Sequence, residues 1–318
     1  MNIVDLSNLN PVWGAFYGGD AGAKESIIYN HDVYMIKYPK TTRDLVNPQL
    51  SYTTSPLSEH LGSQIYKSFG VPTHDIFLGK RRDKIVVACK DFTRIVDERH
   101  NNRAQIIREL IPFHNLKNDF MSSDLESYSG SGSETLLSEV LATINGQSDL
   151  KVVKGALERF WDMFVIDAFI GNNDRNNGNW GLLFDYETSE VTLAPVYDNG
   201  NAFFNKRSIA QMEKRLAHHQ LMEEDSFLNP TCVYKYTGLD NEGHTIKPFD
   251  FMARGEIEEC NQAIERFVNT VNFKRIKKVI DDIPEAYGSL QVMPQIQKDF
   301  YKELLKIRCD KIREFWCS

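Results

Sequence analysis

The sequence predicts an α+β protein of two lobes, a small β-rich lobe over residues 1–92 and a larger helical lobe over 93–318. Three observations predict it. Period-two apolar runs crowd the first part of the chain, apolar residues at helical spacing fill its last third, and a polar loop from Gly171 to Gly181 follows a strongly apolar helix. At 318 residues the chain is long enough for one two-lobed unit.

Taken in order, Ser26–Tyr29 and Asp32–Tyr38 flank Asn30-His31 and read as a hairpin. Leu57, Leu61, Ile65 and Phe69 form one face of a helix, with Gly70 as its stop signal and Pro72 beyond. Strands around Asp75–Leu78 and Lys84–Cys89 complete a small sheet. Residues 122–136, rich in Ser and Gly, read as a surface loop between helices. Leu157–Ile170 is a buried helix feeding the polar loop, and Val191-Thr192-Leu193-Ala194 reads as a buried strand that delivers Asp198. Glu256–Val271, Phe273–Asp282 and Pro294–Trp316 are amphipathic helices.

Composition narrows the function classes. A net charge of -7 without a dense basic stripe argues against direct nucleic-acid binding. No apolar run is long enough to cross a bilayer, and the N-terminus lacks the basic and apolar regions of a secretory signal. The five cysteines are scattered without a CxxC pair, as in a reducing cytoplasm. The expectation is therefore a cytoplasmic protein without a membrane partner.

The polar loop carries the chemistry. Asp174 lies five residues before Asn179, and Asp198 lies two before Gly200. Phosphoryl transfer from a nucleotide–metal complex needs a carboxylate to accept the hydroxyl proton, and an amide oxygen with a second carboxylate to hold the metal. The plainer reading is turn chemistry, since Asn, Gly and Asp all favour tight loops. Other residues bear on the choice. Gly18, Gly19, Gly22, Ala23 and Lys24 form a Gly-rich turn before the first hairpin strand, able to approach an anion or simply to turn. Lys37 shares a strand face with Val33 and Met35, which favours an inward position. Glu59, early in the following helix, is its natural counter-ion, or else an ordinary exposed acid. Lys90, Asp91 and Phe92 end a buried strand where an interlobe connection could offer backbone groups to adenine. Asp167, inside the apolar helix, reads as support for the loop. The histidines at 74, 100, 114, 218 and 219 fall in polar surroundings and read as non-catalytic. Asn201–Leu228, with Lys206-Arg207 and Lys214-Arg215, reads either as an activation or docking segment or as an exposed helix hairpin.

In combination these residues resemble the HipA family of serine/threonine protein kinases. The words that carry the resemblance are Tyr34-Met35-Ile36-Lys37-Tyr38-Pro39, Lys84 to Thr93, Phe160-Trp161-Asp162-Met163-Phe164-Val165 and the loop Gly171–Gly181. The resemblance implies one kinase domain of protein-kinase-like bilobal fold, with ATP and Mg2+ as cofactors, a protein substrate, autophosphorylation and an antitoxin-type partner. It implies Asp174 as base, Asn179 and Asp198 as metal ligands, and Lys37 as phosphate lysine. Gly19–Lys24 becomes the phosphate loop and Lys90–Phe92 the adenine hinge, with Asn176, Asn177 and Tyr197 alongside the nucleotide. Family loops carry a histidine two residues after the aspartate; this chain has Asn176 there. The alternatives on the same residues are a small-molecule or lipid phosphotransferase and a nucleotide-binding, toxin-like pseudokinase.

Overall fold

The structure, a computed structural model, describes residues 1–12, 24–44, 50–97, 103–124, 132–238 and 243–317. Sheet and helix are mixed, in keeping with the α+β expectation, and the chain divides into two compact units. The first comprises Met1–Glu109, Asn199–His218 and Asn272–Glu303; the second comprises Leu110–Asp198, His219–Val271 and Leu304–Ser318.

The first unit is built on a five-stranded sheet of β1 (Val4–Asp5), β2 (Lys24–Tyr29), β3 (Asp32–Lys37), β4 (Ile76–Arg81) and β5 (Lys84–Lys90), in the order β1-β4-β5-β3-β2. β1 runs parallel to β4, and the remaining neighbours are antiparallel. Both hairpins turn through two residues at positive φ, Asn30 (48°) with His31 (64°) and Arg82 (49°) with Asp83 (53°). That backbone matches the right-handed twist of the flanking strands, which is why two-residue hairpins use it. The Asn30-His31 hairpin is thus where the sequence predicts it. β1 escapes sequence reading because two residues carry no period.

Leu6, Ile27, Tyr34, Ile36, Val86 and Ala88 form one buried cluster on this sheet. Helix α1 (Ser55–Ser68) packs on β4 and β5. Pro56 sits in its first turn, where a fixed φ and a missing N–H cost nothing. Gly70 follows its C-cap at φ 77° and lets the chain leave. Burial extends beyond the predicted apolar face, taking in Ser58, Glu59, Gly62 and Ser63. An antiparallel hairpin of β6 (Arg94–Asp97) and β7 (Arg103–Ile106) completes the labelled elements of this unit.

The second unit contains the last three residues of β8 (Arg108–Pro112), then α2 (Phe113–Asp124), α3 (Leu137–Gly146), α4 (Ser148–Val152), α5 (Ala156–Ile170), β9 (Gly181–Asp185) and β10 (Val191–Leu193). The strands form a sheet in the order β10-β9-β8. α5 is apolar on nearly every side and is buried accordingly. Phe169 on α5 meets Phe267 of the helix Glu258–Thr270 at a centroid distance of 5.1 Å, edge to face. Truncating such a side chain to alanine costs about 3–5 kcal/mol. The predicted buried strand Val191–Ala194 needs correction. β10 is an edge strand, so Val191 and Leu193 are half-buried, Thr192 is exposed, and Ala194 alone is buried. The predicted C-terminal helices appear as Glu258–Thr270, Phe273–Asp281 and Gln295–Cys317. No helix among the described residues is long and apolar enough to cross a membrane.

Candidate active site

In the second unit, the loop after α5 begins at Gly171, whose φ of 72° ends the helix. The N–H of Asn172 reaches back to the carbonyl of Asp167 at 2.9 Å. A side chain at 171 would also meet the guanidinium of Arg308, since an added Cβ lies 2.6 Å from its Nη1. Only glycine serves both demands.

The loop then folds on its own amides. Asn172 Oδ1 accepts from the N–H of Asp174 at 3.2 Å. Asn179 Nδ2 donates to the carbonyl of Asp174 at 2.7 Å, and the N–H of Asn179 donates to the carbonyl of Asn176 at 2.9 Å. Asp174 itself is exposed. Asn176 Nδ2 donates to Asp174 Oδ1 at 3.1 Å, while its Oδ1 accepts from the N–H of Gly178 at 2.9 Å. The position where family loops carry histidine thus holds a neutral donor to the Asp174 carboxylate.

Arg175 ties this loop to the strand end before Asp198. Its Nε donates to Asp167 Oδ2 at 2.8 Å and its Nη2 to Oδ1 at 3.2 Å. Its Nη1 donates to the carbonyls of Asn179, at 3.0 Å, and Tyr197. Asp167 also accepts from Asn172 Nδ2 at 3.1 Å. A buried guanidinium needs a carboxylate opposite it, and Asp167 on an otherwise apolar helix supplies one. Asp167 therefore supports the loop as expected, its carboxylate holding the Arg175 and Asn172 side chains and its carbonyl the Asn172 N–H. Asp198 adopts φ 60°, a left-handed conformation uncommon for a non-glycine residue.

Asn177 and Tyr197 face protein. Asn177 is buried and donates to the carbonyls of Gly132 at 2.9 Å and Glu134 at 2.7 Å. Tyr197 Oη donates to the carbonyl of Gly178 at 2.9 Å. Trp180 stacks on Phe113 with ring centroids 4.1 Å apart. These contacts hold the loop from behind and leave Asp174 outward. Asn179 commits its NH2 to the Asp174 carbonyl, so its amide oxygen is the atom that could meet a cation. Together with the Asp198 carboxylate it would make an all-oxygen donor set, the kind that hard Mg2+ takes.

In the first unit, Lys37 Nζ lies 3.0 Å from Glu59 Oε2, with the lysine side chain 15% exposed and the glutamate 1%. The inward reading of Lys37 and its pairing with Glu59 are what the geometry displays. Lys24 stands directly opposite Lys37 in the β2–β3 register. Gly18, Gly19, Gly22 and Ala23 lie outside the described residues.

Lys90 and Asp91 use their backbone N–H groups within the unit, donating to the carbonyls of Asp75 and Val33, each at 2.8 Å. The Lys90 ammonium pairs with Asp32 at 2.8 Å. The Asp91 carboxylate accepts from the N–H and hydroxyl of Thr93 and from Arg94. Phe92 accepts at its carbonyl from Arg108 Nη1 at 3.4 Å.

Several residues escaped sequence reasoning. His74 was expected in polar surroundings but is buried, its Nε2 3.9 Å from Glu59 Oε1, because the chain between α1 and β4 turns it inward. Arg175 was not singled out, although a lone acid on an apolar helix signals a buried cation nearby. Ser58, Ser63 and Asn199 are buried polar residues whose partners are distant in sequence, and no local pattern marks them.

The mixed sheet and helices make a kinase-type fold, closely matched by a solved kinase. The chain belongs to the HipA-like C-terminal domain family, whose model matches residues 21–279. It is similar to the serine/threonine-protein kinase CtkA of Helicobacter pylori, at 32% identity over 306 residues, covering 96% of this chain and 84% of the relative. The crystal structure of the H. pylori proinflammatory kinase CtkA superimposes with a TM-score of 0.82 at 28% identity, covering 99% of this chain and 97% of that one. HipA of Shewanella oneidensis, solved with HipB and operator DNA, matches with a TM-score of 0.52 at 13% identity, covering 100% of this chain and 76% of that one. That last likeness concerns fold alone.

Proposed function

We propose that the protein is a serine/threonine protein kinase that transfers the γ-phosphoryl group of ATP, with Mg2+, to a protein hydroxyl, including its own. The observation that carries this reading is the Arg175 guanidinium, which binds the carbonyls of Asn179 and Tyr197 and so fixes the loop of Asp174 and Asn179 beside the residue preceding Asp198. Two oxygen ligands held in place on one anchored loop would suit a hard cation carried by a nucleotide.

In this reading Asp174 accepts the proton as the Ser or Thr oxygen attacks phosphorus. The bond from that oxygen to Pγ forms, the bond from Pγ to the bridging oxygen breaks, and ADP leaves with the electron pair. Asn179 Oδ1 and the Asp198 carboxylate would hold Mg2+, which when bound neutralises charge on the phosphate oxygens. Lys37, kept in place by Glu59, takes the phosphates, and Lys24 adds positive charge at the same sheet end. The chain acts as a single kinase domain, with its nucleotide-binding residues drawn from 1–92 and its catalytic loop from 93–318.

The test is labelling with γ-32P-ATP and Mg2+, comparing wild type with Asp174→Ala, Asp198→Ala and Lys37→Ala, followed by phosphoamino-acid analysis. Phosphoserine or phosphothreonine that each variant lowers at least about 100-fold supports the reading. Label on a lipid or metabolite instead replaces it with a small-molecule phosphotransferase. ATP binding with no transfer to any acceptor makes the protein a pseudokinase.

A further inference from the structure

Function as read so far uses Asp198 and leaves unused the Asn199-Gly200 that follows it. In the first unit these residues open a segment laid along α1. Asn199 Nδ2 donates to Ser63 Oγ at 3.1 Å, Ser58 Oγ donates to the carbonyl of Ala202 at 2.8 Å, and the N–H of Thr54 donates to the carbonyl of Asn205 at 2.7 Å. The segment therefore runs antiparallel to the helix, from its third turn back to its N-cap. Asn205 closes it on itself by donating to the carbonyl of Gly200.

Glu59 lies in the middle of this contact. A Cβ built on Gly200 would stand 3.2 Å from Glu59 Oε2, the oxygen that binds Lys37 at 3.0 Å, and 3.7 Å from the carbonyl of Ser55. Glycine at 200 lets the backbone close over the carboxylate. The far side of the segment is anchored too, with Phe203 against Tyr301 at 5.1 Å and Arg207 over the Phe204 ring at 4.0 Å. Phe203 (58°) and Phe204 (51°) take left-handed φ values to reach those partners. Asn199, Ser58 and Ser63 are all fully buried, so their polar atoms have protein partners or none.

We propose that Asn199–Asn205 is a positioning strap for α1. Through Asn199 on Ser63 and Gly200 against Glu59, it holds the glutamate carboxylate on Lys37 and so sets the lysine for nucleotide phosphates. The proposal rests on the reading of Lys37 as the phosphate lysine. Asn199, Ser63 and Ser58 are positioning residues, and none of them touches the nucleotide in this scheme.

The experiment is equilibrium titration of the full chain with Mg2+ and a trinitrophenyl-ATP probe, alongside thermal melts. Asn199→Ala and Ser63→Ala each weaken probe binding about 5- to 20-fold, as expected for a buried donor or acceptor left unmade. The double variant weakens binding by less than the product of the two single effects, because both changes sever the same bond. Lys37→Ala gives the floor. Ser68→Ala, whose hydroxyl donates to the Ile65 carbonyl on the same helix, binds as wild type. If Asn199→Ala or Ser63→Ala does not fold, Ser58→Ala removes a single hydroxyl from the strap and weakens the probe in the same direction. Binding within twofold of wild type in these variants, with Lys37→Ala impaired, sinks the strap alone, as do additive effects in the double variant. Unimpaired binding by Lys37→Ala sinks the phosphate reading and the strap with it.

Discussion

Replacing Asp167 by alanine is the sharpest perturbation the second unit offers. The Asp167 side chain is 6% exposed and that of Arg175 is 3% exposed. Truncation removes the acceptors of Arg175 Nε at 2.8 Å, Arg175 Nη2 at 3.2 Å and Asn172 Nδ2 at 3.1 Å. A guanidinium stays behind in a buried site without its carboxylate. Breaking a buried pair from one side costs about 3–5 kcal/mol. At about 2 °C per kcal/mol for a chain of this size, the melting temperature falls about 6–10 °C. The loss reaches the chemistry because the same guanidinium holds the Asn179 and Tyr197 carbonyls. Urea unfolding and thermal melts read the first effect, and single-turnover phosphorylation at saturating ATP reads the second. Asp167→Leu with Arg175→Met should cost less than either single change, since no unpaired charge remains. The reasoning is refuted if Asp167→Ala unfolds within about 1 kcal/mol of wild type, or if the two single changes add in the double.

Acid stability reports on His60, which is buried in α1 and whose imidazole burial holds down to about 4 from 6.5. A depressed histidine binds its proton in the unfolded chain first, so its contribution is complete above pH 6.5 and is lost as pH falls from 6.5 toward 4. Between pH 7.5 and 5, wild type loses ~2 kcal/mol that His60→Gln does not lose, measured by urea melts at each pH; parallel profiles for the two proteins would contradict this. Gly171→Ala combines a left-handed φ of 72° with a Cβ placed 2.6 Å from Arg308 Nη1. It lowers unfolding free energy by about 1–3 kcal/mol, against a smaller loss for Gly155→Ala, where φ is 82° but the space is open. Equal losses at the two positions would show that the Arg308 approach is immaterial. Glu59→Gln keeps shape and removes the charge beside the mostly buried Lys37; ATP affinity falls about tenfold and the melting temperature falls with it, read by nucleotide titration and thermal melts.

Local chemistry determined much of this protein. Asn30-His31 between alternating strands implies a hairpin because that backbone tolerates few other residues. The apolar run from Leu157 implies a buried helix, and Gly171 implies its end. Asp174, Asn179 and Asp198 stand out as a set in the sequence because the phosphoryl-transfer reading proposed above calls for two carboxylates and an amide oxygen in that order. Lys37 was legible as inward-facing from the alternation of its strand.

Tertiary structure alone decided which polar residues of the loop are buried against protein and which stay beside the exposed Asp174. Asn176 and Asn177 are adjacent and identical in type, yet one donates to the Asp174 carboxylate and the other is buried against Gly132 and Glu134. Their difference comes from a segment forty-odd residues away, which no local window contains. Likewise, Ser58 and Ser63 look like solvent-facing helix serines until Ala202 and Asn199 arrive from more than a hundred residues downstream. Side-chain period reports which way a residue points, but a buried hydrogen bond depends on which distant backbone comes to meet it. Here the chain returns to cover α1 and to bring Arg175 under Tyr197.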